Sequence, residues 1–221
     1  MPSVAVHVAL AGLLGTALLG DRFDAKAILA VMFATACLDL DTLVGLYAPG
    51  AHRALFHNLW IVLVPAAFLL WDATRRDSSF VLERWDAYGY RVIWVTLVTM
   101  LFAHVLLDAF YSGANLLWPL QDRFYDLSGK LIVSNQRGVV QTFVEFDSAT
   151  GAISEPTTLG TTEDTYYSTG FNPTPGEPSS DAERSFPVAE TGEQLVLVVA
   201  SFVTVAFRIV EDRRNGSDDR E

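Results

Sequence analysis

Residues 92–110 read VIWVTLVTMLFAHVLLDAF, a run without an ionisable group until His104 and Asp108. A helix needs about 20 predominantly apolar residues to cross the hydrocarbon core of a bilayer, so this stretch predicts a membrane span with two polar side chains near one end. Four more apolar blocks accompany it: Val4–Gly20, Ala27–Tyr47, Leu59–Trp71 and Leu195–Val210. Leu59–Trp71 is the shortest and reaches spanning length only when residues 54–56 or 72–74 are counted with it. The set predicts an all-α polytopic membrane protein of about five transmembrane helices. Four of them fall within residues 1–119, a long connection occupies 120–192, and the fifth helix and a tail fill 193–221.

Hydrophobic side chains make up 51% of the chain and charged ones 19%, the latter gathered between the blocks. A soluble globular domain is therefore excluded as the whole answer. The single cysteine, Cys37, lies inside the second block, so there is no intramolecular disulfide. A net charge of −11 repels phosphate backbones and offers no basic stripe, so no nucleic-acid partner is expected. Much of that charge sits in 120–192, with eleven Asp/Glu against four Lys/Arg. Such a halophilic composition suits salt-rich surroundings, where screening relieves self-repulsion. Within the segment, Lys130–Ser134 and Val139–Phe146 are β-branched and aromatic around Asn135-Gln136-Arg137-Gly138, which predicts a β-hairpin over about 130–146. From Ser148 to Pro187 the Thr, Ser, Gly and Pro content predicts irregular chain.

Met1–Val6 lacks the Lys or Arg of a secretory signal, so the first block reads as a retained helix. With five spans, the Asp21–Lys26 turn, the Asp72–Arg91 connection and the C-terminal tail share one side and ten Lys/Arg. The other side has five, four of them in the long loop. The positive-inside rule makes the first side cytoplasmic, with the N-terminus and long loop outside a cell (inner or plasma) membrane.

The four histidines, His7, His52, His57 and His104, avoid the long polar loop and lie in or beside the apolar blocks, with Asp39, Asp41 and Asp108. Ionisable groups at membrane depth are costly and point to function. At about 1.5 Å per residue, His7, Asp41, His104 and Asp108 all rise roughly 20–25 Å from the cytoplasmic ends of their spans, which predicts one layer near the outer boundary. His104 and Asp108 are four residues apart and project from one helix face. Imidazole with carboxylate is the ligand mix of a catalytic zinc site. A lone His-x3-Asp pair is more often a structural hydrogen bond; four segments bringing such groups to one layer point to a divalent metal, zinc foremost. The candidate ligands are His7, His52, His57, His104 and Asp108. Asp39 and Asp41, two residues apart, face nearly opposite sides of a regular helix. Either only one is a ligand or the helix unwinds near Thr42–Gly45, the other carboxylate serving as general base or orienting a histidine. Arg53, beside His52, is a candidate clamp for an anionic substrate oxygen.

These residues carry a resemblance. His7, the Leu38-Asp39-Leu40-Asp41 step, His52-Arg53-Ala54-Leu55-Phe56-His57-Asn58, and His104-Val105-Leu106-Leu107-Asp108 followed by Gly113-Ala114-Asn115-Leu116-Leu117-Trp118-Pro119 occur in order. The ordered set resembles the YdjM-like family of inner-membrane-associated, metal-dependent hydrolases, over about Met1–Leu120. The departures are Leu38 for the family's Pro, Phe56 for Thr and Asn58 for Ser. The 120–192 segment has no counterpart in that pattern.

The resemblance and the residues together imply a membrane-bound metal-dependent hydrolase acting at the outer interface on an ester or phosphoester, such as a lipid headgroup bond, with membrane lipid as its partner. The loss of polar side chains at Phe56 and Asn58 keeps open a non-catalytic protein with a structural or sensory metal site. A transporter is the weakest reading, because no internal repeat is present.

Overall fold

A computed structural model describes residues 2–143, 157–175 and 181–218. The chain begins with α1 (Val4–Leu19), capped by Ser3, whose hydroxyl accepts from the Val6 amide. Helix α2 (Ala25–Ala36) is capped by Asp24, which accepts from the Lys26 and Ala27 amides at 2.6 and 2.9 Å. It tightens into a 3₁₀ turn over Cys37–Leu40 and continues as the single turn α3 (Asp41–Val44). A 3₁₀ turn at Pro49–Ala51 precedes α4 (Trp60–Arg75) and α5 (Phe80–Thr99). Helix α5 kinks at Asp86 (φ 54°) and passes through a π-helical turn, Met100–Val105, into α6 (Leu106–Tyr111). The short strands β1 (Phe124–Tyr125), β2 (Leu131–Ser134), β3 (Gly138–Gln141) and β4 (Thr158–Gly160) precede α7 (Gly192–Asp218).

Among the described residues, four helical stretches are long and apolar enough to cross a membrane: Val4–Arg22, Ala25–Val44, Phe80–Tyr111 and Gly192–Asn215. The block Leu59–Trp71 is helical as α4, but its 16 residues span only about 24 Å, short of a core roughly 30 Å thick.

The chain divides into two compact units. One comprises Pro2–Leu40, Leu59–His104 and Phe186–Glu221. Here α1 packs against α2, α5 and α7, and α4 packs on α5. Leu19, Ile28, Val31, Met32, Val95 and Val205 form its main core. Ser201 Oγ donates to the Ala9 carbonyl at 2.6 Å, a helix–helix bond of the kind that fastens membrane helices through small polar residues. The outward faces are apolar too: Leu29, Phe33, Val64, Phe102, Val203 and Phe207 are all exposed. Helices apolar on both faces suit a lipid surround rather than water. This is a membrane protein.

The second unit comprises Asp41–Asn58 and Val105–Ser185. The expected hairpin is present: β2 and β3 pair antiparallel, Leu131 opposite Gln141 and Ser134 opposite Gly138. The turn between them closes through Gly138 at φ 67°, the left-handed geometry that glycine tolerates best. The predicted extension to Phe146 runs into residues outside those described. Beyond it the chain is more ordered than its composition implied. Strand β4 pairs with β1, Phe124 opposite Gly160 and Tyr125 opposite Thr158. Asp122 fastens this segment, accepting from Asn115 Nδ2 (2.7 Å), the Thr162 amide (3.1 Å) and Thr162 Oγ1 (2.6 Å).

Candidate metal centre

In the unit containing Asp41–Asn58, the chain after α3 folds back over its own first residue. Asp41 is fully buried and all its acceptor capacity faces the His52–His57 turn. His52 Nδ1 donates to Oδ1 at 2.7 Å and His57 Nδ1 donates to Oδ2 at 2.8 Å. Oδ2 also accepts the backbone amides of Arg53 and Phe56 at 3.2 and 3.3 Å. A carboxylate only accepts, so both histidines carry a proton on Nδ1, and in the neutral ring Nε2 is the lone-pair site. His52 Nε2 is buried without a hydrogen-bond partner among the described residues. His57 Nε2 lies 3.2 Å from Asp108 Oδ2. Two lone-pair donors that close repel unless positive charge, a proton or a metal ion, sits between them. Two zinc ligands with bonds near 2.0–2.2 Å and tetrahedral angles are about 3.3–3.6 Å apart, close to the spacing seen. Asp41, His52 and His57 offer ligand atoms close enough to hold an ion.

Asp108 is fixed from its other side. Arg53 Nη2 donates to Asp108 Oδ1 at 2.8 Å, while Nη1 donates to Ser112 Oγ and to the Gly113 carbonyl (3.2 Å). The buried guanidinium stacks 4.5 Å from the Tyr167 ring centroid. Tyr167 returns its hydroxyl proton to the carbonyls of Ser112 and Gly113. Burial pushes the Tyr167 hydroxyl above its ordinary pKa, against the opposing pull of Arg53. Arg53 holds φ at 64°, a conformation uncommon for a non-glycine residue and frequent at functional sites. The bonds from its amide to Asp41 and from the Asn115 amide to its carbonyl (2.9 Å) keep it there.

In the other unit, His7, Asp39 and His104 come together and also offer ligand atoms close enough for an ion. His7 Nδ1 donates to the Ala103 carbonyl at 2.8 Å, which directs Nε2 away from that bond. The His7 and His104 rings stack at 3.9 Å and 17°. His104 Nε2 lies 3.6 Å from Asp39 Oδ1, and Asp39 is 17% exposed where both histidines are buried. His104 sits in the π-turn, a distortion common where a helix must aim a functional side chain. The second span departs from a regular helix at Cys37–Leu40, before the expected Thr42–Gly45, so Asp39 leaves on a 3₁₀ turn and Asp41 opens the next helical turn.

Within one unit the chain gathers Asp41, His52, Arg53, His57 and Asp108, and within the other His7, Asp39 and His104, which accounts for all eight residues singled out in the sequence. Ser112, Asn115, Asp122, Thr162 and Tyr167 support the first group and were not singled out. Asn115 lies in the Gly113–Pro119 motif, which signalled its place but not its role. Tyr167 sits among threonines and serines that carry no signal.

A family model described as YdjM inner membrane protein matches residues 1–170. The chain belongs to the YdjM family. The match runs past Leu120, so part of the long segment that lacked a counterpart, Tyr167 included, lies within the YdjM region. No curated protein and no solved structure matches the chain. The geometry also accounts for a departure from the YdjM pattern: Phe56 serves Asp41 through its backbone amide, a contact indifferent to the side chain. Asn58 uses its side chain to donate to the carbonyls of Ala54 and Leu55 at 3.0 and 2.9 Å.

Proposed function

We propose that this YdjM-family chain is a membrane-bound metal-dependent hydrolase acting at the outer interface on an ester or phosphoester, such as a lipid headgroup bond. The observation that carries the reading is the grip of Asp41 on Nδ1 of both His52 and His57, which in the neutral rings makes Nε2 the ligating atom, that of His57 lying 3.2 Å from Asp108. Carboxylate–histidine pairs of this kind are the usual support of metal-ligating imidazoles. His52, His57 and Asp108 are the proposed ligands in this unit, Asp41 orients the two rings, and Arg53 holds Asp108 in place. His7, His104 and Asp39 form the second proposed metal group, with Asp39, the more exposed carboxylate, as its candidate base. A divalent ion, zinc foremost, supplies Lewis acidity and a hydroxide source at neutral pH.

We also propose that the N-terminus and long loop face outward and the C-terminus the cytoplasm, supported by the distribution of Lys and Arg. This topology needs a fifth crossing, supplied by α4 together with the residues that flank it, because its 16 helical residues alone fall short of the core.

A second reading, a structural or sensory metal site without catalysis, is favoured by the near-complete burial of His52, His57 and Asp108. Elemental analysis of the detergent-purified protein at high salt, with a generic phosphoester assay on wild type and His57→Ala, separates the two. Bound metal with activity that both fall in the variant supports the hydrolase. Bound metal with only background activity supports the second reading, and absence of metal from wild type refutes both.

A further inference from the structure

The β2–β3 hairpin is an anomaly in its surroundings. Residues 129–143 contain Lys130 and Arg137 and no acidic residue, although the 120–192 segment holds eleven. The hairpin is also apolar and uncovered: Leu131 is 68% exposed, Val133 82% and Val139 71%, and the register sets Val133 opposite Val139. A two-stranded ribbon is marginal alone in water, and one with exposed β-branched residues needs a cover. Its base is tied to a helix end. Phe143, just after β3, packs edge-on against Phe110 of α6, ring centroids 5.7 Å apart, and α6 closes the span Phe80–Tyr111.

We propose that this hairpin lies in the headgroup–acyl boundary of the leaflet at which α6 ends, with Leu131, Val133 and Val139 among the acyl chains and Lys130 and Arg137 among anionic phosphates. Three observations converge on lipid as the occupant. The base of the hairpin sits at the end of a membrane span. Its charge is opposite to that of the rest of the loop and complementary to anionic headgroups. Its apolar residues are flanked by cations, as in segments that lie in a membrane interface. The contact gives the acidic segment a second attachment to the bilayer, independent of any catalytic activity.

The test uses the full chain with Cys37→Ala, reconstituted into vesicles of phosphatidylcholine and phosphatidylglycerol. An environment-sensitive fluorophore is placed at Val133→Cys or, as a control, at the exposed acidic position Glu163→Cys. With spin-labelled lipids bearing the quencher near the headgroup end of the acyl chain, the Val133 probe should lose roughly half its emission or more, given burial about 5–10 Å deep. The Glu163 probe should be unchanged. Equal quenching at both positions overturns the proposal. So does blue-shifted Val133 emission without lipid quenching, or efficient Val133–Val133 crosslinking between copies in its place, because a protein surface is then the cover.

Discussion

Replacing Asp41 with asparagine isolates what its second oxygen does. The backbone amides of Arg53 and Phe56 both point at Oδ2 and can only donate, so the asparagine oxygen must occupy that position and continue to receive His57 Nδ1. The new amide NH2 then replaces Oδ1 and faces His52 Nδ1, formerly 2.7 Å from an acceptor. His52 must accept through Nδ1, moving its proton to Nε2 and removing the lone pair it offered. Loss of such an orienting partner commonly costs 10- to 100-fold in metal affinity, or about 1.4–2.7 kcal/mol. Here a ligand itself is withdrawn, so the upper end, roughly 100-fold, is expected. Competition against a fluorescent zinc chelator measures it, with thermal unfolding of the metal-free protein as the fold control. Asp41→Ala is a different perturbation. It strands four buried donors, each costing about 1–3 kcal/mol, which together rival a typical total stability of about 5–15 kcal/mol. That variant should fail to accumulate as folded protein. A folded Asp41→Asn protein whose zinc affinity stays within about threefold of wild type would refute the assignment of His52 as a ligand.

Arg53→Ala removes the guanidinium that pairs with Asp108 Oδ1 and should destabilise the protein by about 3–5 kcal/mol, as for other broken buried ion pairs. Arg53→Lys should recover only part of this, because one ammonium cannot serve Asp108, Ser112 and Gly113 while stacking on Tyr167; thermal melts in detergent compare the two. Gly50→Ala would drive a methyl into the Thr162 carbonyl oxygen, so the 157–167 segment must shift. About 1–3 kcal/mol of destabilisation is expected, with faster proteolytic cleavage between residues 157 and 175. The Asp72 carboxyl is held below its ordinary pKa first by the Ser79 hydroxyl, then by the Val81 and Phe80 amides, against the opposing effect of burial. A depressed carboxylate stabilises fully above its unfolded pKa, about 3.9, and loses that contribution as pH falls through the lower folded value. The melting temperature should therefore drop on acidification below about pH 4, and Asp72→Asn should flatten that limb.

The membrane helices were legible because apolar length is written directly in the chain, and Leu59–Trp71, borderline in sequence, became a helix too short by the same arithmetic. The hairpin was legible because its partners are neighbours and its turn carries a glycine. The β1–β4 pairing was not, since strands of two and three residues have no period and their partner is distant in sequence. The residue types of the site could be read from their cost at membrane depth. Their division of labour could not. That one carboxylate serves two histidines depends on the chain after Val44 doubling back, and the separation of Asp39 from Asp41 depends on a 3₁₀ turn that helical spacing cannot anticipate. Arg53 looked like a cation waiting for a substrate because its partners, Ser112, Gly113 and Tyr167, lie more than fifty residues away.

That distance has a consequence for biosynthesis. Arg53 is made 114 positions before Tyr167, the ring it rests on. At about 5–20 residues per second, the nascent chain carries an unsupported guanidinium for roughly 6–23 s before its platform leaves the ribosome. During that interval the His52–His57 turn has Asp41 to fold around but lacks Tyr167, and at first Asp108, Ser112 and Gly113 as well. Synthesis rate through the acidic segment, and any ribosomal pause there, thus sets how long Arg53 goes without its ring platform.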